Sequence, residues 1–130
     1  DPGVIILYER KRKETDMKNS EIVNGLNGLA LLVESEKEFS VKVGYAIAKN
    51  LRILKEAYAV YDAEREKIMK DFDDQNEEQR RVTNKKVKEL LEINNEDIKI
   101  QKISYEDLQE CGSMKTKEFA ALEFMTKEEE

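Results

Sequence analysis

A heptad pattern of apolar residues is the feature that most constrains what this chain folds into. From Ser40 to about Phe72 the apolar positions alternate spacings of four and three, and no proline interrupts them. The positions of this seam are Ile47, Leu51, Leu54, Tyr58, Tyr61, Arg65, Ile68 and Phe72, of which the arginine alone is charged. At 1.5 Å per residue the pattern predicts a helix about 50 Å long. A helix of that length in a chain of 130 residues needs a partner helix along its seam, because an exposed apolar stripe is unfavourable in water.

Two further helices are predicted to flank the long one. Upstream, Ser20 is a suitable N-cap for a helix with one apolar face. The residues of that face are Ile22, Leu26, Leu29 and Val33. Gly25 and Gly28 lower the helix propensity here, but they also allow another helix to approach closely. Downstream, the polar turn 71–78 leads to a third helix that ends near Ile93 and forms an antiparallel hairpin with the long helix. The apolar positions of the third helix are Val82, Val87, Leu90 and Leu91.

The segment after the third helix changes to a β-type pattern. Residues Asp97–Ile103 begin with alternating apolar and polar side chains, which predicts a strand. Its best partner within the chain is Val4–Tyr8, which is rich in β-branched residues, and such a ribbon is expected to lie on the helices. Beyond it, Ser104 and Thr116 are expected to cap two short helices. The predicted fold class is mainly α, with a long antiparallel helical hairpin, an N-terminal helix and a small two-stranded β-ribbon.

The first 16 residues differ in character from the rest of the chain. The first methionine is Met17, directly before the helical pattern. Residues 1–16 carry a turn, a short apolar run and a charged stretch, with four acids and four bases in total. These features predict an N-terminal extension over residues 1–16, with a strand at 4–8, followed by a single helical domain over residues 17–130.

The composition excludes several kinds of catalytic and metal site. The chain contains no histidine and one cysteine, Cys111. It therefore cannot form a Ser-His-Asp triad, a Cys-His pair, a histidine-based metal site or a thiolate zinc cluster. The acidic turn from Asp71 to Asn76 lacks the glycine that a calcium loop requires at its sixth position. We therefore expect a non-enzymatic protein without a metal or other cofactor.

The apolar runs of the chain are short. The longest, Val4–Tyr8 and Gly28–Val33, fall far below the roughly 20 residues of a membrane span. A single cysteine is typical of proteins in a reducing compartment. These observations predict a cytoplasmic protein that does not cross a membrane.

A basic and aromatic set of residues on the long helix is the best candidate for binding a partner. Tyr45 lies off the apolar seam, and tyrosine is enriched at the energetic centres of protein interfaces. Lys42, Lys49 and Arg52 run along the same half of the helix. The sequence therefore predicts a protein partner that binds at these four residues.

Nucleic-acid binding is the alternative function. Lys42, Lys49 and Arg52, together with the stretch Arg80–Lys88, supply the clustered cations that phosphate binding needs. The net charge of the chain is -6, however, so a solvated face is the preferred interpretation of these clusters. A homodimer also stays open, because any part of the seam that the third helix leaves uncovered favours self-association.

Several segments of the chain carry a resemblance to a known family. The main ones are residues 18–27, of sequence KNSEIVNGLN, and residues 39–50, of sequence FSVKVGYAIAKN, in which YAIAKN is the most specific part. Together with residues 97–103 and 119–125, they resemble a family of small proteins encoded by tailed phages and prophages of Gram-positive bacteria. The resemblance covers about residues 17–125. The family has no assigned activity, so the resemblance implies a phage origin and no catalytic residue.

Many phage proteins without catalytic chemistry act through other proteins. Some are accessories of the virion or of its assembly, and others inhibit a host defence or regulatory protein. The resemblance therefore leads us to expect one of these two roles. It also leads us to expect the protein in the cytoplasm of the bacterial host or in the virion.

Overall fold

A computed structural model describes residues 12–70, 72–73 and 75–128, and over these residues the protein is mainly helical. The helices are α1 (Asn19–Glu34), α2 (Val41–Met69), α3 (Glu77–Leu91), α4 (Tyr105–Gln109) and α5 (Thr116–Leu122), followed by a 3-10 turn at Glu123–Met125. Strands β1 (Met17–Lys18) and β2 (Asn94–Asn95) pair antiparallel. The predicted fold class is confirmed: a long helical hairpin, an N-terminal helix and a small two-stranded β-ribbon.

The long helix α2 begins where its cap predicts and carries the core on one face. The hydroxyl of Ser40 accepts a hydrogen bond from the backbone N–H of Val43, 3.4 Å away. Of the predicted seam, Ile47, Leu54 and Tyr61 are buried. The helix ends at Met69, short of the predicted end at Phe72. Both α1 and α3 pack against α2. The long helix therefore has one helical partner that precedes it in the sequence and one that follows it.

Helix α1 buries a stripe that is rotated from the predicted one. Leu32 is 3% exposed, whereas Val33, predicted for the core, is 60% exposed. The cause is Gly25: a Cβ built there lies 3.3 Å from Leu54 Cδ1. Because this side of α1 carries no side chain at Gly25 and Gly28, neighbouring elements approach it most closely, and the adjacent Leu32 is covered with it.

Helix α3 also buries a different set from the predicted one. The side chain of Asn76 caps it by accepting from the N–H of Gln79 at 3.0 Å. Thr83 and Leu90 are buried, whereas Val82, predicted as an apolar contact, is 45% exposed. Thr83 and Leu90 are seven residues apart and so share a stripe, and Val82 lies about 100° away from Thr83 around the helix. Helical position, and not hydrophobicity, decides which of the two neighbours is buried.

The predicted composition of the β-ribbon is wrong. Its strands are β1 and β2, and the pairing joins Met17 with Asn95 and Lys18 with Asn94. Residues 97–102 form no strand, and Ile103 makes an isolated parallel bridge with Thr126. Asp97, the first residue of the alternating segment, has a φ of 59°, so the extended backbone of β2 does not continue into this segment. The predicted strand at 4–8 lies outside the described residues.

An internal side chain takes the place of a partner strand for this segment. Asn50 is fully buried, and its amide oxygen accepts from the N–H of Gln101 at 2.7 Å. Its amide nitrogen donates to the carbonyl of Gln101 at 3.0 Å. One asparagine thus satisfies both backbone groups of Gln101 and holds the extended segment on α2.

A buried polar network joins the start of α1 to the end of α3. Asn19 donates from its side chain to the carbonyl of Leu90 at 2.8 Å, and Asn95 donates to the side-chain oxygen of Asn19 at 2.9 Å. Further upstream, the carbonyl of Thr15 accepts from the N–H of Ile98 at 2.8 Å, and Asp16 is 2% exposed. Residues 15–16 are therefore packed on the helical domain, and the division at residue 16 stays a prediction.

Candidate functional site

The four residues predicted for partner binding share one face of α2. Lys42, Tyr45, Lys49 and Arg52 are spaced by three, four and three, which places them in one row along a helix; we call this row the α2 stripe. Tyr45 is 63% exposed. The opposite face of the same turns carries the buried residues Val43, Ala46, Ile47, Asn50 and Leu54. Because the opposite face of α2 is packed in the core, the α2 stripe faces solvent.

Two of the cations in the α2 stripe have partners in other elements. The Nζ of Lys42 lies 3.3 Å from Oδ1 of Asp107 on α4. The Nζ of Lys49 donates to Oε1 of Gln101 at 3.2 Å. Arg52 is exposed and makes no ion pair with any residue that the structure describes. The guanidinium of Arg52 and the ring of Tyr45 are thus the most available groups of the stripe.

The anion beside Lys42 is held in its ionised form. The backbone N–H of Ser104 donates to Oδ2 of Asp107 at 2.8 Å. This bond, the hydroxyl of Ser104 and the ammonium of Lys42 hold the pKa of Asp107 below its ordinary value. At neutral pH the Asp107 carboxylate therefore balances part of the charge of Lys42, and positive charge on the stripe is greatest toward Arg52.

The local charge of this half of α2 is opposite to that of the whole chain. Residues 41–55 contain the four cations Lys42, Lys49, Arg52 and Lys55 and no acidic residue, whereas the chain has a net charge of -6. This run of cations without an interleaved acid is a signal in the sequence that composition as a whole conceals. It gives the α2 stripe positively charged surroundings in an acidic protein.

A second basic row lies on α3. Arg81, Lys85 and Lys88 are exposed and spaced by four and three, so they form one row, which we call the α3 basic stripe. They lie opposite the buried Thr83 and Leu90. None of the three makes an ion pair with a residue in the described part of the chain. The sequence indicates the stretch Arg80–Lys88 as basic but does not separate these three residues from their neighbours.

The two basic rows lie at different levels of the hairpin. Helix α3 starts eight residues after α2 ends and runs back along it for 15 residues. It therefore lies beside the second half of α2, while the α2 stripe occupies the first half. At 1.5 Å per residue the centres of the two rows are about 20 Å apart along the axis of α2.

The remaining residues that attract attention have structural roles or weak contacts. The rings of Tyr58 and Tyr61 have centroids 5.7 Å apart, and Tyr61 is 6% exposed, so this pair belongs to the packing of the hairpin. Cys111 is half-buried, and its Sγ lies 3.7 Å from Oγ of Ser40. Among the described residues, no group of three or more His, Cys, Asp and Glu side chains is placed to hold a metal ion. No helix in that part of the chain is long and apolar enough to cross a membrane.

Comparisons with protein-family models, with curated proteins and with solved structures each gave no match. The resemblance to phage and prophage proteins therefore stays a prediction.

Proposed function

We propose that the protein is a non-enzymatic, phage-encoded binding protein that engages an acidic surface of another protein through the α2 stripe. The observation that carries this proposal is the 63% exposure of Tyr45 in a row of cations. A tyrosine offers a large rigid contact area, and arginine and tyrosine dominate the binding energy of many protein interfaces.

Electrostatics supports an acidic partner. The stripe and the neighbouring Lys55 place four cations within residues 41–55, and no acid lies between them along the helix. Opposite potentials raise the association rate and disfavour partners of the wrong charge. Because Lys42 is already paired with Asp107, Arg52 and Lys49 contribute most of the attraction.

The rigidity of the stripe supports a binding role as well. The side chains project from the first half of a 29-residue helix whose opposite face is buried. Lys49 is held by Gln101 at 3.2 Å. Binding at this surface costs little free energy for ordering the protein's own backbone, because the helix is already formed.

The test is a capture experiment with matched charge reversals. Full-length wild-type protein and the variants Arg52→Glu and Arg81→Glu are immobilised and exposed to lysates of Gram-positive cells before and after phage infection. Bound proteins are quantified by mass spectrometry. We expect a specific acidic protein to bind the wild type and Arg81→Glu, and to bind Arg52→Glu about tenfold less, because reversal removes one attraction and adds a repulsion. Equal capture by all three variants, or capture of no specific protein, contradicts the proposal.

The identity of the captured protein separates the two phage roles. A virion accessory captures a structural phage protein and is present in purified particles. An inhibitor captures a host defence or regulatory protein and remains in the host cytoplasm. The homodimer is tested by light scattering over a range of concentrations. Such a dimer would cover part of the apolar seam of α2 or part of the α2 stripe.

Nucleic-acid binding through the α3 basic stripe is the second candidate function. The observation that favours it is that Arg81, Lys85 and Lys88 form an exposed row without ion pairs in the described part of the chain. Fluorescence anisotropy with labelled duplex DNA and single-stranded RNA tests it at about 20 mM and about 150 mM salt. Phosphate contacts weaken as salt rises, so the absence of binding at the lower salt rules this function out.

A further inference from the structure

A groove lies between the second half of α1 and α5, on helices that do not carry either basic row. Its volume is about 830 Å³, within the range of about 300–1,000 Å³ that is typical of ligand pockets. Leu32, at 3% exposure, and Ala121 lie at its base, and Leu31, at 67% exposure, stands at its edge.

Two contacts shape the groove: close packing between α1 and α5, and a hydrogen bond between the segments that adjoin these helices. A Cβ built at Gly28 lies 3.2 Å from Cβ of Ala121, so α1 and α5 approach closely there. Beyond α1, the Nζ of Lys37 donates to the carbonyl of Ser113 at 2.6 Å. This bond joins the segment after α1 to the loop before α5 and holds the two sides of the groove together.

Three lysines and two glutamates line the groove, which gives its lining a net charge of +1. Lys37, Lys115 and Lys117 line it, together with the acids Glu34 and Glu118. Glu118 is 7% exposed, and its carboxylate accepts from the backbone N–H of Lys115 at 2.7 Å, so it is engaged in capping α5. Lys115 and Lys117 are exposed and form no ion pair with a described residue.

We propose that this groove binds an acidic peptide segment of a partner protein. An apolar side chain of the peptide packs against Leu31 at the edge of the groove, and the Asp or Glu side chains of the peptide contact Lys115 and Lys117. The occupant follows from charge: Leu31 is exposed, and Lys115 and Lys117 line the same groove without an ion pair to any described residue. Burial of Leu31 against the apolar side chain of the peptide supplies affinity. The lysines favour peptides in which acidic residues flank that apolar side chain.

The experiment is a selection from a random library of displayed peptides about 12 residues long, carried out on the full chain. Enriched peptides are synthesised, and their affinities are measured by fluorescence anisotropy. We expect peptides with a Leu, Ile, Phe or Met next to at least two acidic residues. They should bind about tenfold more weakly to Leu31→Glu and to the double variant Lys115→Glu/Lys117→Glu, since both changes bring negative charge to the groove.

Two control variants match these changes on other surfaces. Val60 is 67% exposed, as Leu31 is, so Val60→Glu controls for the loss of an exposed apolar residue. Lys85→Glu/Lys88→Glu controls for the reversal of two charges, and a third variant, Arg52→Glu, separates this groove from the α2 stripe. All three should bind the peptides as the wild type does, and circular dichroism checks that each variant is folded.

Four results of the peptide experiments overturn the proposal. These are a selection that enriches no peptide, enriched peptides without acidic residues, equal affinity for the groove variants and the wild type, and loss of affinity in the controls. Dodecanoate, added below its micelle concentration, is a further arm of the test. Binding of dodecanoate at the groove without any peptide binding would assign the groove to a lipid and would also overturn the proposal.

Discussion

Replacement of Asn50 by alanine should destabilise the protein strongly, because this side chain ties α2 to a distant segment. Asn50 is fully buried and bonds both backbone groups of Gln101, at 2.7 Å and 3.0 Å. Its amide nitrogen also lies 3.4 Å from Sδ of Met125. The variant loses these bonds and leaves the N–H and carbonyl of Gln101 without their protein partner.

The magnitude follows from the number of bonds lost. Each neutral hydrogen bond contributes about 1 kcal/mol net to the free energy of unfolding. Loss of the van der Waals contacts of a fully buried side chain adds about 1 kcal/mol, as for other deletions in a packed core. We therefore expect Asn50→Ala to lower the free energy of unfolding by about 3 kcal/mol, a large part of the ~5–15 kcal/mol that is typical of a domain.

The assay is urea unfolding followed by far-UV circular dichroism, with Asn84→Ala as the matched control. Asn84 is exposed on α3, so its replacement changes helix propensity by the same amount without removing a buried bond. The difference between the two variants isolates the tertiary contribution. A difference below about 1 kcal/mol would refute the prediction, because it would mean that water replaces Asn50 at Gln101 at little cost.

The remaining predictions concern the glycines, the capping carboxylate and the exposed tyrosine. Gly44→Ala should raise the free energy of unfolding by about 0.5–1 kcal/mol, since a Cβ there meets nothing within 4 Å. Gly28→Ala should not, because its Cβ lies 3.2 Å from that of Ala121; equal gains in urea midpoint for both variants would contradict the close approach of α1 and α5. Because the backbone N–H of Ser104 holds the pKa of Asp107 below its ordinary value, the carboxylate stabilises the fold above that ordinary pKa, and the contribution is lost as the pH falls through the lowered one. Asp107→Asn should therefore show a smaller loss of urea midpoint than the wild type on acidification from about pH 5 to about pH 2, and an identical loss would contradict this role of the carboxylate. Tyr45→Ala should leave the free energy of unfolding unchanged within about 0.5 kcal/mol, because the side chain is 63% exposed; a larger loss in thermal unfolding would show that the ring packs in the fold.

Local signals located most of the helices. The cap at Ser40, with its bond to the N–H of Val43, and the cap at Ser104, with its bond to the N–H of Asp107, span three residues each. A cap and a spacing of three or four are properties of neighbouring residues, so they are readable without a tertiary structure. The spacing of three, four and three in the α2 stripe defines a row on any helix, although the prediction assigned these residues only to one half of the helix.

Burial within a helix was less predictable, because two adjacent positions often fit the same period. Leu32 and Val33 both follow Leu29 at helical spacing, and the close approach at Gly25 selects Leu32. Thr83 is buried in preference to Val82 for a similar reason, since the direction in which α3 meets α2 decides between them. In both cases the sequence predicted the helix, and the elements packed against that helix determined which of two adjacent residues is buried.

Contacts between distant parts of the chain depended entirely on the tertiary structure. Alternation alone predicted a strand at residues 97–103, but the partner of Gln101 is the side chain of Asn50, 51 positions away. The ion pair of Lys42 with Asp107 and the groove between α1 and α5 likewise join segments that are remote in the sequence. The sequence by itself determined the amphipathic helices and the row of cations on α2, because both follow from spacing within a few turns. The tertiary structure decided which of those cations are paired, and where a groove forms, because these properties require two separate segments to meet.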